Sequence, residues 1–249
     1  MQFYWAKQTL HATFIKPLAA MALLLVIAMV CTPGAECANF KSLRAAHDVA
    51  LNTNPRSGFW VAAAPVYFQA DNYGHPVPWL RTTVRSRWTN EGLYLLFVCP
   101  YRKLNLKPSP STTTETNGLW NWDVAEIFVG SDFHDIRHYK EFEVSPQGEW
   151  TDLDINLDNP HHEDGWAWNS GFQVAARIDR KKKIWYGAMR IPFAAIADNA
   201  PQAGSRLRVN LFRSQGPSSD KKLLAWQTPM SATFHVPERF GELVLIENP

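Results

Sequence analysis

The stretch RTTVRSRWTNEGLYLLFVC, residues 81 to 99, limits the fold more than any other part of the chain. Thr82, Val84, Ser86 and Trp88 alternate with Arg81, Thr83, Arg85 and Arg87, a period of two that places successive side chains on opposite faces of a strand. Thr89, Asn90 and Glu91 form a short polar turn, and GLYLLFVC (92–99) follows as an apolar run of strand length. The pair predicts a hairpin whose first strand keeps one face wet. Further strands are predicted at VAEIFVG (124–130), YKEFEVS (139–145), EWTDLDIN (149–156), FQVAARID (172–179), IWYGAMRI (184–191), RLRVNLFR (206–213) and GELVLIE (241–247). Between them lie breakers such as SPQG (145–148) and DNAPQAG (198–204), which are turn chemistry. No stretch sustains a 3.6-residue period beyond a turn or two, so the expected fold is all-β, an antiparallel β-sandwich of jelly-roll-like form.

The first 38 residues stand apart from that pattern. Lys7 and Lys16 precede the apolar run LAAMALLLVIAMVC from Leu18 to Cys31, too short to span a bilayer comfortably and suited to a secretory signal. Ala35 and Cys37 fit the small positions ahead of a cleavage site near Ala38. The expected organisation is a signal peptide at 1–38, a lead-in at 39–54 and one domain at 55–249; an uncleaved anchor and a lipid on Cys37 are the alternatives. Removing two lysines and one glutamate from 25 basic and 23 acidic side chains leaves 23 and 22, a net of +1. That balance offers no basic face for nucleic acid, and RKKK (180–183) reads as a solvated hairpin turn. Cys99 is then the one cysteine of the mature chain, and no internal disulfide is expected.

The candidate binding residues gather at LWNWDVAEIF (119–128). The polar segment KLNLKPSPSTTTETNG (103–118) is too long for a hairpin loop and delivers the chain to Trp120. An aromatic face beside a carboxylate suits a pyranose, whose C–H face is apolar and whose rim is hydroxyl. Trp120 is the candidate platform, and Trp122 is open between ligand contact and closing the core. Glu126 shares a strand face with Val124 and Phe128 and so needs a partner, either a sugar hydroxyl or one of Arg81, Arg85, Arg208 and Arg213. Trp60, Trp88, Trp185 and Trp226 read as core. Asp152, Asp154, Asn156, Asp158 and Glu163 fall at positions 1, 3, 5, 7 and 12 of a calcium-loop template, although Leu157 stands where that turn needs glycine. If 149–156 is a strand, the first three simply line a solvated face. His161 and His162 are adjacent loop residues and poor zinc ligands.

From Leu93 onward the segments resemble carbohydrate-binding module family 9, a sugar-binding β-sandwich attached to many secreted xylanases. The resemblance is carried by GLYLLFVC with Pro100, WNWDVAEIF (120–128 from Trp120), YKEFEV (139–144), RIPF (190–193), AWQTP (225–229) and PERFGELVL (237–245). It spans roughly residues 55 to 247. It implies a sugar ring held between two loop aromatics at one end of the sandwich, placed here at Trp120 and Phe234. At the position where family members carry a sugar-binding arginine this chain has Glu143, so acceptors replace donors and reducing-end preference does not transfer. Some members hold structural calcium; no other cofactor is implied.

The resemblance thus implies an exported protein, periplasmic, cell-surface or secreted, that binds a polysaccharide or oligosaccharide such as xylan or glucan. With no room in 249 residues for a catalytic module, it is expected to serve a separate glycoside hydrolase, with no nucleic-acid partner and no membrane contact after signal cleavage. Two other functions stay open. A glycosidase would need two carboxylates facing across a cleft. A haem-b carrier, known among related sandwiches, would draw on Met189 or Met230 with His235 or Lys221.

Overall fold

A computed structural model describes residues 38–159 and 166–248. All of the predicted signal segment but Ala38, and His161, His162 and Glu163, lie outside the described residues. Among the described residues thirteen strands follow one another: β1 (Asn39–Arg44), β2 (Val66–Phe68), β3 (Ala70–Asp71), β4 (Thr82–Trp88), β5 (Gly92–Pro100), β6 (Val124–Gly130), β7 (His138–Val144), β8 (Trp150–Asn156), β9 (Gln173–Asp179), β10 (Ile184–Pro192), β11 (Arg206–Gln215), β12 (Lys222–Ala225) and β13 (Gly241–Ile246). The main path runs β8-β7-β6-β11-β13-β1-β4-β5-β10-β9. Its two halves fold over each other, β7 packing against β9 and β10, which makes a sandwich.

The nine sequence-read strands are all present. The fold differs from the expectation at β1, which is no lead-in: it runs parallel to both β13 and β4 and joins the halves. Only Phe40 and Ser42 of NFKSLR turn inward, and Ser86 donates a hydroxyl hydrogen bond to Ser42 at 2.8 Å. A short, half-polar strand that pairs in parallel leaves no hairpin turn beside it, so its signal is weak. The short β2, β3 and β12 fall below the length at which periodicity can be read.

Between the halves sit Val84, Leu93, Leu95, Phe97, Trp185, Met189 and Ile191 from one side. Ala125, Ile127, Val129, Phe142, Val144, Leu207, Val209 and Leu211 face them. Each fully buried large apolar side chain contributes about 1.5–3 kcal/mol. Both outer faces are covered as well, which accounts for apolar runs such as GLYLLFVC where alternation would mark a half-wet strand. Tyr94, Leu96 and Tyr186 lie under Trp60 of the helical turn Gly58–Val61. The second face of β4, expected wet, is covered by that same turn at Arg87 and partly at Arg85, while Arg81 just ahead of the strand stays exposed. Arg87 is buried and donates to the Phe59 carbonyl at 2.7 Å, while Arg85 reaches the Trp60 carbonyl at 3.2 Å. Of the tryptophans expected in the core, Trp60, Trp88 and Trp185 are buried, and Trp226 is half-buried against Phe40. The RKKK segment forms the turn between β9 and β10.

Candidate functional site

On β6 and β7 alternate residues face outward, away from the sandwich core: Glu126 and Phe128 from the first, Tyr139, Glu141 and Glu143 from the second. The neighbouring strands add Leu153 from β8 and Phe212 and Ser214 from β11. Three loops rise over this face. The turn Leu119–Asn121 brings Trp120, the segment after residue 165 brings Trp166, and residues 232–235 bring Phe234 and His235. They enclose a cavity of about 310 Å³ whose floor includes Glu126, Glu141 and Phe128. A second cavity of similar volume beside Gly130 and His138 carries exposed Asp132 and Asp198 and no buried carboxylate.

Local chemistry explains how Trp120 is presented. Gly118 adopts a left-handed φ of 75°, which costs glycine little and turns the chain into the 119–121 helical turn. Leu119 is buried beneath, and the Lys221 ammonium hydrogen-bonds the Trp120 carbonyl. Asp123 then ties the loop down, accepting from the Gly216 amide at 2.6 Å, the Asn105 amide at 3.0 Å and the Gln215 side chain. The 103–118 segment is pinned rather than loose: Glu115 accepts from the Thr151 hydroxyl at 2.6 Å and the Asp152 amide at 3.1 Å.

Phe234 stacks on Phe212 with ring centroids 4.1 Å apart, so one face is already covered and its remaining surface borders the cavity. Trp166 hangs from the Asn156 carbonyl by its indole N–H at 3.0 Å. The Tyr139 hydroxyl lies 2.7 Å from His235 Nδ1, and the imidazole stacks on Phe128.

The floor is strongly acidic. Glu126, Glu141 and Glu143 are all buried and bring oxygens within 4.8 Å of one another. Glu126 and Glu143 are direct cross-strand partners. Burial, then the charge of Glu141, pushes the Glu126 carboxyl up to about 8, against the opposing Ser214 hydroxyl bond at 3.1 Å and the Lys221 charge. Burial, then the charges of Glu126 and Glu141, holds Glu143 well above the usual carboxylate range.

Trp120, Phe234 and Glu126 therefore surround one cavity, with Glu143 beneath it against Glu126. Trp122 is half-buried and does not border it, because the helical turn ends at Asn121 and the backbone is extended at Trp122. The cavity lies over the outer face of the sheet and is roofed by loops. None of the arginines weighed as partners of Glu126 reaches it. Arg213 shares the inward parity of Leu211 and reaches the Pro100 carbonyl at 2.6 Å, while Ser214 takes the outward position. Arg208 donates to the Pro237 carbonyl at 3.1 Å, Arg85 to carbonyls of the Trp60 turn, and Arg81 lies over the Tyr67 ring.

Of the calcium-template residues, Asp152, Asp154 and Asn156 lie along β8 and Asp158 in the turn that follows it. Asp152 accepts from the Ser170 amide at 2.7 Å, Asp154 pairs with Lys140, Asn156 accepts from the Asp158 amide, and Asp158 pairs with Arg137. Among the described residues these side chains do not converge on a common point. Of the residues weighed for haem, His235 and Lys221 border the cavity, whereas Met189 is in the sandwich core and Met230 is exposed.

Sequence reasoning did not single out Glu141, Trp166 or Ser214. Glu141 was within reach, since two glutamates spaced by two on one strand must share a face. Trp166 and Ser214 carried no such signal, because their place depends on which loop folds over which strand.

A family model described as carbohydrate family 9 binding domain-like matches residues 60–248. A protein of Arthroderma benhamiae described as an extracellular protein is 28% identical over 182 residues, covering 68% of this chain and 80% of that protein. A family 9 carbohydrate-binding module from Caldicellulosiruptor kristjanssonii in complex with cellotriose superposes with a TM-score of 0.63 at 13% identity, covering 85% of this chain and 95% of the module. The module from that organism in complex with glucose gives 0.60 at 13% identity over 84% of this chain and 97% of its own. At such identities the structural likeness is one of fold.

Proposed function

Because the chain belongs to the carbohydrate family 9 binding domain-like family, we propose that it is an exported, non-catalytic carbohydrate-binding protein whose sugar site is the Trp120–Phe234 cavity. The observation that carries this reading is the meeting of Trp120, Trp166 and Phe234, distant along the chain, around one cavity floored by Glu126 and Glu141. Aromatic surface covers the C–H face of a pyranose, and floor carboxylates accept from its hydroxyls. The likeness to modules in complex with cellotriose and glucose favours a saccharide of glucan type. Export is supported by the apolar run at 18–31 and by a relative described as extracellular.

Binding fits the carboxylates better than hydrolysis does. Glycoside cleavage needs an acid and a base or nucleophile on opposite sides of the scissile bond, about 5–10 Å apart. Glu126, Glu141 and Glu143 crowd within 4.8 Å on one sheet face. A polysaccharide-degrading partner enzyme would then supply any cleavage.

Trp120→Ala tests the site. Trp120 is only half-buried, so its loss should weaken binding of cello-oligosaccharides by about 1–3 kcal/mol while leaving the melting temperature nearly unchanged. Isothermal titration and a thermal melt read the two quantities separately, and a matching loss in both would assign Trp120 to the core instead.

A further inference from the structure

The loop that follows β12, residues 226–236, carries Phe234 and His235 to the cavity. Its base is tied to β11, where the Trp226 amide donates to the Leu211 carbonyl at 2.8 Å, the Asn210 side-chain amide donates to the Gln227 carbonyl at 2.8 Å and its oxygen accepts from the Gln227 amide at 3.0 Å. Farther out the support narrows to one residue. Among the described residues, every hydrogen bond that joins 228–233 to another element goes to Asn72. The Met230 amide donates to the Asn72 carbonyl at 2.8 Å, and the Asn72 side-chain amide donates to the Ser231 carbonyl. Met230 itself is left-handed, with φ of 55°, a conformation that a residue with a side chain keeps only where its surroundings hold it.

Asn72 is itself firmly placed. It is buried, and its amide donates to the Leu223 carbonyl at 2.9 Å, which extends the pairing of β3 with β12 by one residue. Leu223 borders the cavity and is the cross-strand partner of Ser214. The turn that presents Asn72 is fixed by the Asp71 carboxylate, which accepts from the Tyr73 amide at 2.9 Å and the His75 amide at 2.8 Å. A short side-chain donor on so fixed a turn gives the loop one register, in which Phe234 stacks on Phe212 and His235 meets the Tyr139 hydroxyl. A wall ordered beforehand loses less freedom when a ligand arrives. Resting on the saccharide reading above, we infer that Asn72, which does not line the cavity, is a positioning residue of the sugar site, holding the 228–235 loop so that Phe234 is set before a saccharide enters.

Asn72→Ala removes the donor to Ser231 and keeps both backbone bonds. Hydrogen–deuterium exchange of peptides across 228–236, with isothermal titration of cellotriose, tests the role. Exchange should rise in that loop and stay unchanged elsewhere, cellotriose affinity should fall by about three- to tenfold, and saturating cellotriose should slow the loop again. Asn72→Asp, which also lacks the donor, is the second variant should the first fail to give a native melt. Faster loop exchange with unchanged affinity would make Asn72 a brace without a part in binding and overturn the inference, leaving the saccharide reading intact. Unchanged loop exchange, or a rise spread over the whole domain in both variants, would overturn it too. Failure of the wild type to bind cellotriose would remove both readings.

Discussion

Glu126→Gln tests whether the acidic floor takes up a proton on folding. In the folded protein the Glu126 carboxyl is pushed up to about 8 from an ordinary 4.5, so between those values it is protonated when folded and ionised when unfolded. A group with a raised folded pKa adds stability that is fully present below the unfolded value and is lost as pH rises through the folded one. One proton bound on folding corresponds to a slope of about 1.4 kcal/mol per pH unit across that window. For a domain of this size, that is a fall in melting temperature of roughly 3–5 °C per pH unit from this group. Glutamine keeps the shape and can still accept from the Ser214 hydroxyl but has nothing to titrate. Melts of both proteins from pH 5 to pH 8 should diverge, the wild type losing stability more steeply and the variant staying flatter by about that amount. Parallel curves would refute the reasoning, since they would mean that the Glu126 carboxylate is already ionised and solvated in the folded state.

Other expectations follow from the packing. Arg213→Ala removes the guanidinium that reaches the Pro100 carbonyl and Gln215 and leaves buried acceptors unanswered near Asp123, so chemical denaturation should show a loss of about 3–5 kcal/mol. At Gly241 an added Cβ would stand 2.6 Å from the Trp226 ring and 2.7 Å from the Ala38 carbonyl, so Gly241→Ala should cost about 1–3 kcal/mol, read by the same denaturation curve. Cys99 has no exposed surface and burial pushes its thiol up to about 12, so in the native protein at pH 8 it should resist a thiol alkylator, and peptide mapping should find it modified only after unfolding.

Much of the fold was legible before any coordinate. Nine strands came from period-two alternation and turn residues, because a strand's side-chain period and the conformational needs of a turn are local properties. β1 was not legible, since its parallel pairing to β13 and β4 joins residues at opposite ends of the chain and leaves no turn between them. Arg85 and Arg87 read as a wet face because nothing in RTTVRSRW reports that residues 58–61 will lie across it.

The same division runs through the site. The amino-acid order by itself determined that Glu126 and Phe128 share one face of β6, that Glu141 and Glu143 share one face of β7, and that two tryptophans stand just ahead of the first of these strands, all consequences of residue order and backbone geometry over a few residues. Only the tertiary structure decided that those two faces adjoin in register, that Ser214 and not an arginine meets Glu126, and that Trp166 and Phe234 roof the carboxylates while Trp122 stays outside. Those outcomes depend on strand pairing and loop placement between distant segments, where packing of the whole domain sets which charges are buried together.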